Sequence, residues 1–299
     1  MSRSTDLFLT ALAPAIWGST YIVTTELLPD GYPLTVAALR ALPAGLLLLL
    51  MTRNLPPRAW LGRVMLLGAL NFTVFWGALF IAAYRLPGGV AATLGAVQPL
   101  VVLGLAALLL GTAVTWQSVA AALTGIVGVG LLILGPDAQL DLIGIGAALA
   151  GAISMAFGTV LSRKWQPPVP PLSFAAWQLT AGGLMLVPIA LWVEPAFPVP
   201  DAKAVAGLVW LGLIGAALTY VLFFRGIAKL GPASVAGLGF LSPLSAVLLG
   251  WVILGEALSP QQMLGAAIVV GSVWAAQRAA RPKASQLARS KEAAISVRV

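Results

Sequence analysis

The chain has 299 residues, of which 60% are apolar and 9% charged, and it contains neither cysteine nor histidine. A mean hydropathy of +0.99 excludes an ordinary soluble domain and points to a polytopic membrane protein. The missing residue types exclude disulfides, thiolate metal sites and imidazole proton shuttles, so no metal and no cofactor is expected.

At about 20 residues per bilayer crossing, the apolar runs predict ten helices. They cover 7–28, 34–51, 64–84, 88–110, 115–134, 140–161, 173–193, 204–224, 233–254 and 260–279. The expected fold class is an all-α integral membrane protein. The first run is too short before Ala11-Leu12-Ala13 for a cleaved signal, and Pro14 would follow the cut; it reads as an uncleaved helix. Connections are short and carry turn residues, as in Pro29-Asp30-Gly31, residues 86–88 and Gly135-Pro136-Asp137, and the proline-rich 166–171 should be non-helical. Beyond Arg281 the chain is polar, basic and aperiodic, which predicts a disordered tail over 282–299.

The net charge of +8 is distributed by side. With the N-terminus in the cytoplasm, fourteen of the 17 lysines and arginines fall inside and two, Arg85 and Lys203, outside, while Arg40 lies within a helix. The positive-inside rule then sets both termini in the cytoplasm. The basic charge is thereby accounted for by membrane orientation, and no nucleic-acid partner is expected.

One stretch occurs twice, LGAVQPLVVLGLAALLLG at 94–111 and LGFLSPLSAVLLGWVILG at 238–255, a shift of 144. Pro99 and Pro243 each remove the helical bond to the carbonyl four residues back, which is a glycine both times, Gly95 and Gly239. Those carbonyls are expected to be free, a state tolerated at membrane depth only in protein or beside a water-filled cavity. At the same shift Leu67-Gly68 matches Leu211-Gly212, Phe80 matches Phe224 and Gln117 matches Gln261; more weakly, and at a shift of 137, Leu12-Ala13 matches Leu149-Ala150. Each repeat then has five helices, an odd number, so the second copy is inverted. The expected division is 1–134 and 135–281, with a midplane site between the halves and alternating access as the mechanism.

Trp17-Gly18-Ser19-Thr20-Tyr21, Arg40 early in the second helix, and the proline-broken fourth and ninth helices, the latter closing with Leu254-Gly255-Glu256-Ala257-Leu258, resemble the drug/metabolite transporter superfamily, EamA branch. Within it the chain is most similar to exporters of aromatic amino acids of the YddG type. The acidic residue that follows the proline helix in that family appears only in the second repeat, as Glu256; the first has Thr112. The resemblance implies a bacterial inner-membrane exporter of aromatic or other bulky neutral amino acids and related small amphipathic metabolites, a monomer or weak dimer in the lipid bilayer.

Few groups inside the spans can touch such a substrate. Gln98 and Ser242 precede the two prolines and, with the carbonyls of Gly95 and Gly239, could grip an ammonium group; interhelical hydrogen bonding is the competing use. Trp17 and Tyr21 lie one turn apart, as do Asn71 and Phe75, with Trp76 beside them; Tyr220 (near Thr219 and Phe224) and Phe157 complete a candidate aromatic wall. Core packing is the alternative for each. Trp60, Trp116, Trp165, Trp192, Trp210 and Trp274 sit near span ends and read as interfacial belts. Arg40 reads as structural, paired with Glu26 or snorkelling outward, with a substrate carboxylate as its other possible partner. Pro99, Pro243 and Glu256 are expected to serve structure or hinging. No span centre carries an acid, so the sequence favours a gradient-driven facilitator over coupling through Glu26 or Glu256. A sugar-phosphate or nucleotide-sugar carrier would need several cationic donors, and an intramembrane transferase an acid/base pair or an activated nucleophile; the spans offer neither. An enzyme is therefore not expected.

Overall fold

A computed structural model describes residues 2–85, 94–133, 141–255 and 257–280. Among these residues every regular element is helical. Seven helical stretches are long and apolar enough to cross a membrane: Pro33–Thr52, Arg58–Leu79, Trp116–Ile133, Leu142–Lys164, Pro171–Val193, Ala202–Leu230 and Pro232–Leu254. The other three expected spans differ for identifiable reasons. The first is cut at Gly18 into α1 (Arg3–Trp17) and α2 (Ser19–Leu27). The fourth is described only from Leu94, with its regular part in α6, Gln98–Leu110. The tenth, α14 (Pro260–Ala279), has the expected bounds but carries Gln261, Gln262, Gln277 and Arg278. The turns at 86–88 and 135–137, Glu256, and the tail at 282–299 lie outside the described residues.

The remaining elements are α3 (Pro33–Thr52), α4 (Leu61–Gly68), α5 (Val74–Arg85), α7 (Trp116–Ile133), α8 (Leu142–Lys164), α9 (Pro171–Val193), α10 (Ala202–Val209), α11 (Thr219–Leu230), α12 (Pro232–Leu238) and α13 (Leu241–Leu254). Two π-helical segments, Ala69–Thr73 and Trp210–Leu218, join α4 to α5 and α10 to α11. Helix starts carry their expected signals: Ser2, Asp141, Asp201 and Ser259 accept from backbone N–H groups of the first turn. The start of α3 is capped from elsewhere in the chain, because the Glu194 carboxylate accepts from the N–H groups of Leu34 and Thr35 at 2.6 and 2.8 Å. The segment at 166–171 is irregular up to Pro170, and Pro171 opens α9.

Lipid offers helices no hydrophobic reward for meeting, so association relies on close packing of small residues. The helices α3 and α9 meet along alanines and glycines: a Cβ at Gly45 would fall 2.4 Å from the Thr180 N, and one at Gly183 would fall 2.7 Å from the Leu42 Cα. The pair α7 and α14 uses the same device, with Gly265 against the backbone of Leu132 and Gly128 against Ile268. Large side chains such as Leu50 (74% exposed) and Leu191 (79%) point outward, as a bilayer-facing surface requires. Trp116, Trp192 and Trp274 are likewise exposed near helix ends, while Trp177 is buried and donates to the Asn54 carbonyl at 2.6 Å.

Candidate functional site

Both halves of the chain break a helix where the repeat predicts it. In the first, Leu94 and Gly95 end one helical piece, Ala96 and Val97 form a turn, and α6 begins at Gln98. In the second, α12 ends at Leu238, Gly239 and Phe240 form the turn, and α13 follows. The two turns feed one apolar cluster: Ala96 and Phe240, 144 positions apart, belong to it with Leu244, Val129, Leu132 and Val269. The Gly239 carbonyl is not free as expected. It accepts from the Ser242 N–H at 3.0 Å, because the chain tightens into a shorter turn where proline has withdrawn the longer bond. Gln98, Gly95 and Ser242 are half-buried and Pro99 is buried, whereas Pro243 is half-buried.

The first helix reaches this region through Gly18. A Cβ there would lie 2.7 Å from the Ser242 carbonyl oxygen and 2.6 Å from the Ser245 Cβ, so only glycine lets the α1–α2 junction rest on α13. Trp17, immediately before it, is half-buried and tilts against Tyr220 at 5.0 Å and Phe223 at 5.2 Å between ring centroids. Tyr220 also meets Phe72 (4.7 Å), Trp76 (6.4 Å) and Phe224 (6.0 Å), all at interplanar angles typical of aromatic pairs. The structure therefore joins Trp17 to Tyr220 and sets the adjacent Gly18 on Ser242; Tyr220 is almost fully covered, whereas Trp17 is half-buried.

The third stretch departs from its α-helical reading. Asn71 and Phe75, four residues apart across the end of the π segment Ala69–Thr73, both approach α8, near Gly158 and Gly151. Phe72 and Trp76 form the pair that joins the aromatic cluster. Asn71 is turned away and fully buried: its amide donates to the Gln178 Oε1 at 2.8 Å and to the Ser162 Oγ at 3.4 Å, against Gly158. Asn71 is thus part of a packed interhelical knot. Phe75 is half-buried against the main core, and Phe157, 36% exposed, belongs to none of the ring contacts. Of Tyr21 only the helix position is described.

Arg40 does not pair with Glu26, which is exposed. It is 9% exposed; its Nη2 donates to the Gly215 carbonyl at 2.8 Å, and its guanidinium lies 5.0 Å from the Trp76 ring centroid. The same carbonyl accepts from the Thr219 hydroxyl at 2.8 Å, and Thr219 accepts from the Trp17 indole N–H at 2.9 Å. A continuous chain of hydrogen bonds thus runs from Trp17 to Arg40 through the second π segment. Gly215 and Thr219 carry no distinctive signal alone, but a shift of 144 carries the first π segment onto 213–217, inside the second, and pairs Gly215 with Asn71.

A cleft of about 1070 Å³ lies apart from the aromatic cluster, between α6, α7, α14 and the start of α12, lined by residues including Leu103, Gln117, Thr124, Ser234, Ser272 and Arg278. A pocket of about 20 Å³ shares Leu103, Ser118 and Ala233 with it and reaches Pro99 and Phe240 at the two helix breaks.

The family model for EamA-like transporters matches residues 5–134 and again 142–276. Protein PecM of Dickeya dadantii is 44% identical over 263 residues, covering 87% of this chain and 88% of PecM. The chain belongs to the EamA-like transporter family. The uncharacterized inner membrane transporter YedA of Escherichia coli K12 is 30% identical over 265 residues, 86% of each chain. A solved crystal structure shares the fold at a TM-score of 0.80 with 22% identity, covering 94% of this chain and all of the other. Family membership and the apolar helices make this a multi-pass membrane protein of a transporter family.

Proposed function

We propose that the protein exports aromatic and other bulky neutral amino acids, with related small amphipathic metabolites, across the bacterial inner membrane by alternating access. The observation that carries this reading is the half-buried Trp17 ring, backed by Tyr220 and Phe223 and followed by Gly18, which rests on Ser242 at a helix break. A flat apolar side chain stacks on such a wall, and the amide and hydroxyl of Gln98 and Ser242 take the ammonium group. The cleft shares lining residues with the small pocket at Pro99 and Phe240, and on this reading the two open into one another when the halves move.

In this reading ten helices form two inverted repeats, 1–134 and 135–281, followed by a cytoplasmic basic tail at 282–299. The two stretches matched by the family model and the π segments at a common shift support that division. The charge distribution supports cytoplasmic termini, and the name of YedA supports the inner membrane. Movement follows the substrate gradient, since no acid lies at a span centre, and the protein transports its substrate unchanged rather than reacting it. The test is counterflow in proteoliposomes. Labelled phenylalanine or tryptophan should exchange against unlabelled neutral amino acids without an imposed proton or sodium gradient. Exchange that requires an imposed gradient would refute the facilitator mechanism, and absence of exchange for every neutral amino acid would refute the substrate.

A further inference from the structure

The second and seventh predicted spans correspond at a shift of 138. Pro33-Leu34-Thr35 matches Pro171-Leu172-Ser173, Ala37-Ala38 matches Ala175-Ala176, and Arg40 falls on Gln178. At the shift of 144 Asn71 falls on Gly215. These two correspondences describe one exchange made twice, because Arg40 bonds to Gly215 while Gln178 bonds to Asn71. Each contact joins a residue of α3 or α9 to the π segment of the other half.

The two copies differ in what they leave open. In the copy built on Gln178, neutral amides meet each other, Ser162 joins them, and a Cβ at Gly158 would lie 2.1 Å from the Asn71 Oδ1, so the atoms left without a hydrogen-bond partner, the Asn71 Oδ1 and the Gln178 Nε2, belong to uncharged groups in filled space. In the other copy glycine replaces the amide partner and a guanidinium replaces glutamine. One carbonyl satisfies one N–H of that guanidinium and none of its charge. The buried Arg40 Nε has no hydrogen-bond partner, and among the described residues neither ion pair, Arg85–Asp141 or Arg225–Asp6, reaches it. A cation without a counter-ion at membrane depth is a functional feature by default.

We infer that Arg40 binds the carboxylate of the transported substrate on the edge of its guanidinium that Gly215 does not occupy. The inference rests on the aromatic wall as the transport site and adds the chemical class of its ligand, a monoanionic carboxylate attached to a flat or bulky apolar body. Position supports it: Trp76 lies against the guanidinium, Tyr220 against Trp76, and Trp17 against Tyr220. The planar fork of arginine matches two carboxylate oxygens, and a single fork suits one negative charge rather than a phosphate dianion. With nine-tenths of Arg40 covered, the ligand reaches it when the two halves rock apart.

The experiment compares matched acids and primary amides (tryptophan with tryptophanamide, phenylalanine with phenylalaninamide, indole-3-acetate with indole-3-acetamide) as competitors of counterflow and as thermal stabilisers in detergent. The wild type should prefer each acid at least tenfold. Arg40→Gln installs the residue of the corresponding position and retains an N–H for the Gly215 carbonyl; it should abolish the preference while leaving the amides unchanged. Arg40→Lys, which keeps charge without the fork, should restore part of it. Equal loss of acid and amide in Arg40→Gln would show that Arg40 only ties helices together and would overturn the inference. So would a wild type that prefers no acid over its amide, which needs no variant to fold. Arg40-dependent binding of indole-3-acetate without binding of either amino acid would uphold the anion site and refute the amino-acid reading.

Discussion

Replacing Gly226 with alanine should loosen the contact that sets Trp17 against its aromatic wall. Gly226 lies on α11 against Thr10 of α1; a Cβ there would sit 2.3 Å from the Thr10 Cγ2, 2.6 Å from its Oγ1 and 3.0 Å from its Cβ. Ordinary contact begins near 3.4 Å, so the helices must part by about 1 Å or a fully buried threonine must leave its place; overpacking of this kind costs about 1–3 kcal/mol. The same pair of helices carries the Asp6–Arg225 ion pair at one end and the Trp17–Thr219 hydrogen bond at the other. A shift at Gly226 is therefore felt at Trp17. Thr10→Ala alone should be mild, because its hydroxyl donates within its own helix to the Asp6 carbonyl and such bonds in membrane bundles average about 0.6 kcal/mol. The double variant removes the two nearest atoms and should recover more than about 1 kcal/mol of the loss, a coupling typical of residues in contact. Thermal unfolding in detergent micelles, with substrate counterflow measured in parallel, reads both effects. A Gly226→Ala protein as stable as wild type, or strict additivity in the double variant, would refute the close approach of α1 and α11.

Two further outcomes follow from the site. Trp17→Ala should weaken competition by aromatic amino acids about tenfold, through loss of ring contacts worth about 0.5–1.5 kcal/mol each, and competition by alanine much less; equal loss for both would remove Trp17 from recognition. Trp17→Phe, which gives up the Thr219 hydrogen bond but keeps a ring, should lie between them. Pro99→Ala and Pro243→Ala should leave the fold intact, by circular dichroism and melting, while slowing counterflow, and native rates in both would reduce the breaks to packing features.

The apolar runs gave the helix bounds to within a few residues at most ends, because a membrane span is a one-dimensional signal of length and hydropathy. The breaks after Gly95 and Leu238 were legible from another local signal, a proline at a repeated position. What the sequence hid depends on neighbours distant along the chain. Nothing local to Gly18 announces that it rests on Ser242, and nothing near Glu194 shows that it caps α3. The partners of Asn71 were hidden in the same way: nothing local shows that Gln178 and Ser162 lie opposite it, or that Phe72 and not Phe75 joins the rings around Tyr220.

The π segments also explain why polar side chains stand where they do. A bilayer core offers backbone groups no water, so carbonyls must find donors inside the protein. Helices that change from α to π spacing alter their bonding pattern, and such irregularities are frequent at functional sites. Each segment has a carbonyl that takes a side-chain donor from another helix: Leu70 accepts from Ser154 at 2.8 Å, and Gly215 accepts from Arg40 at 2.8 Å. A serine satisfies the first without adding charge. An arginine does more than the second carbonyl needs, since one N–H from a neutral side chain would serve, and a neutral glutamine, accepting from Asn71, stands at the corresponding position 178. Structural satisfaction alone therefore accounts for a polar residue at position 40 but not for a charge, and the surplus charge, held beside Trp76 and linked through Thr219 to Trp17, is what recognition of an anionic group requires.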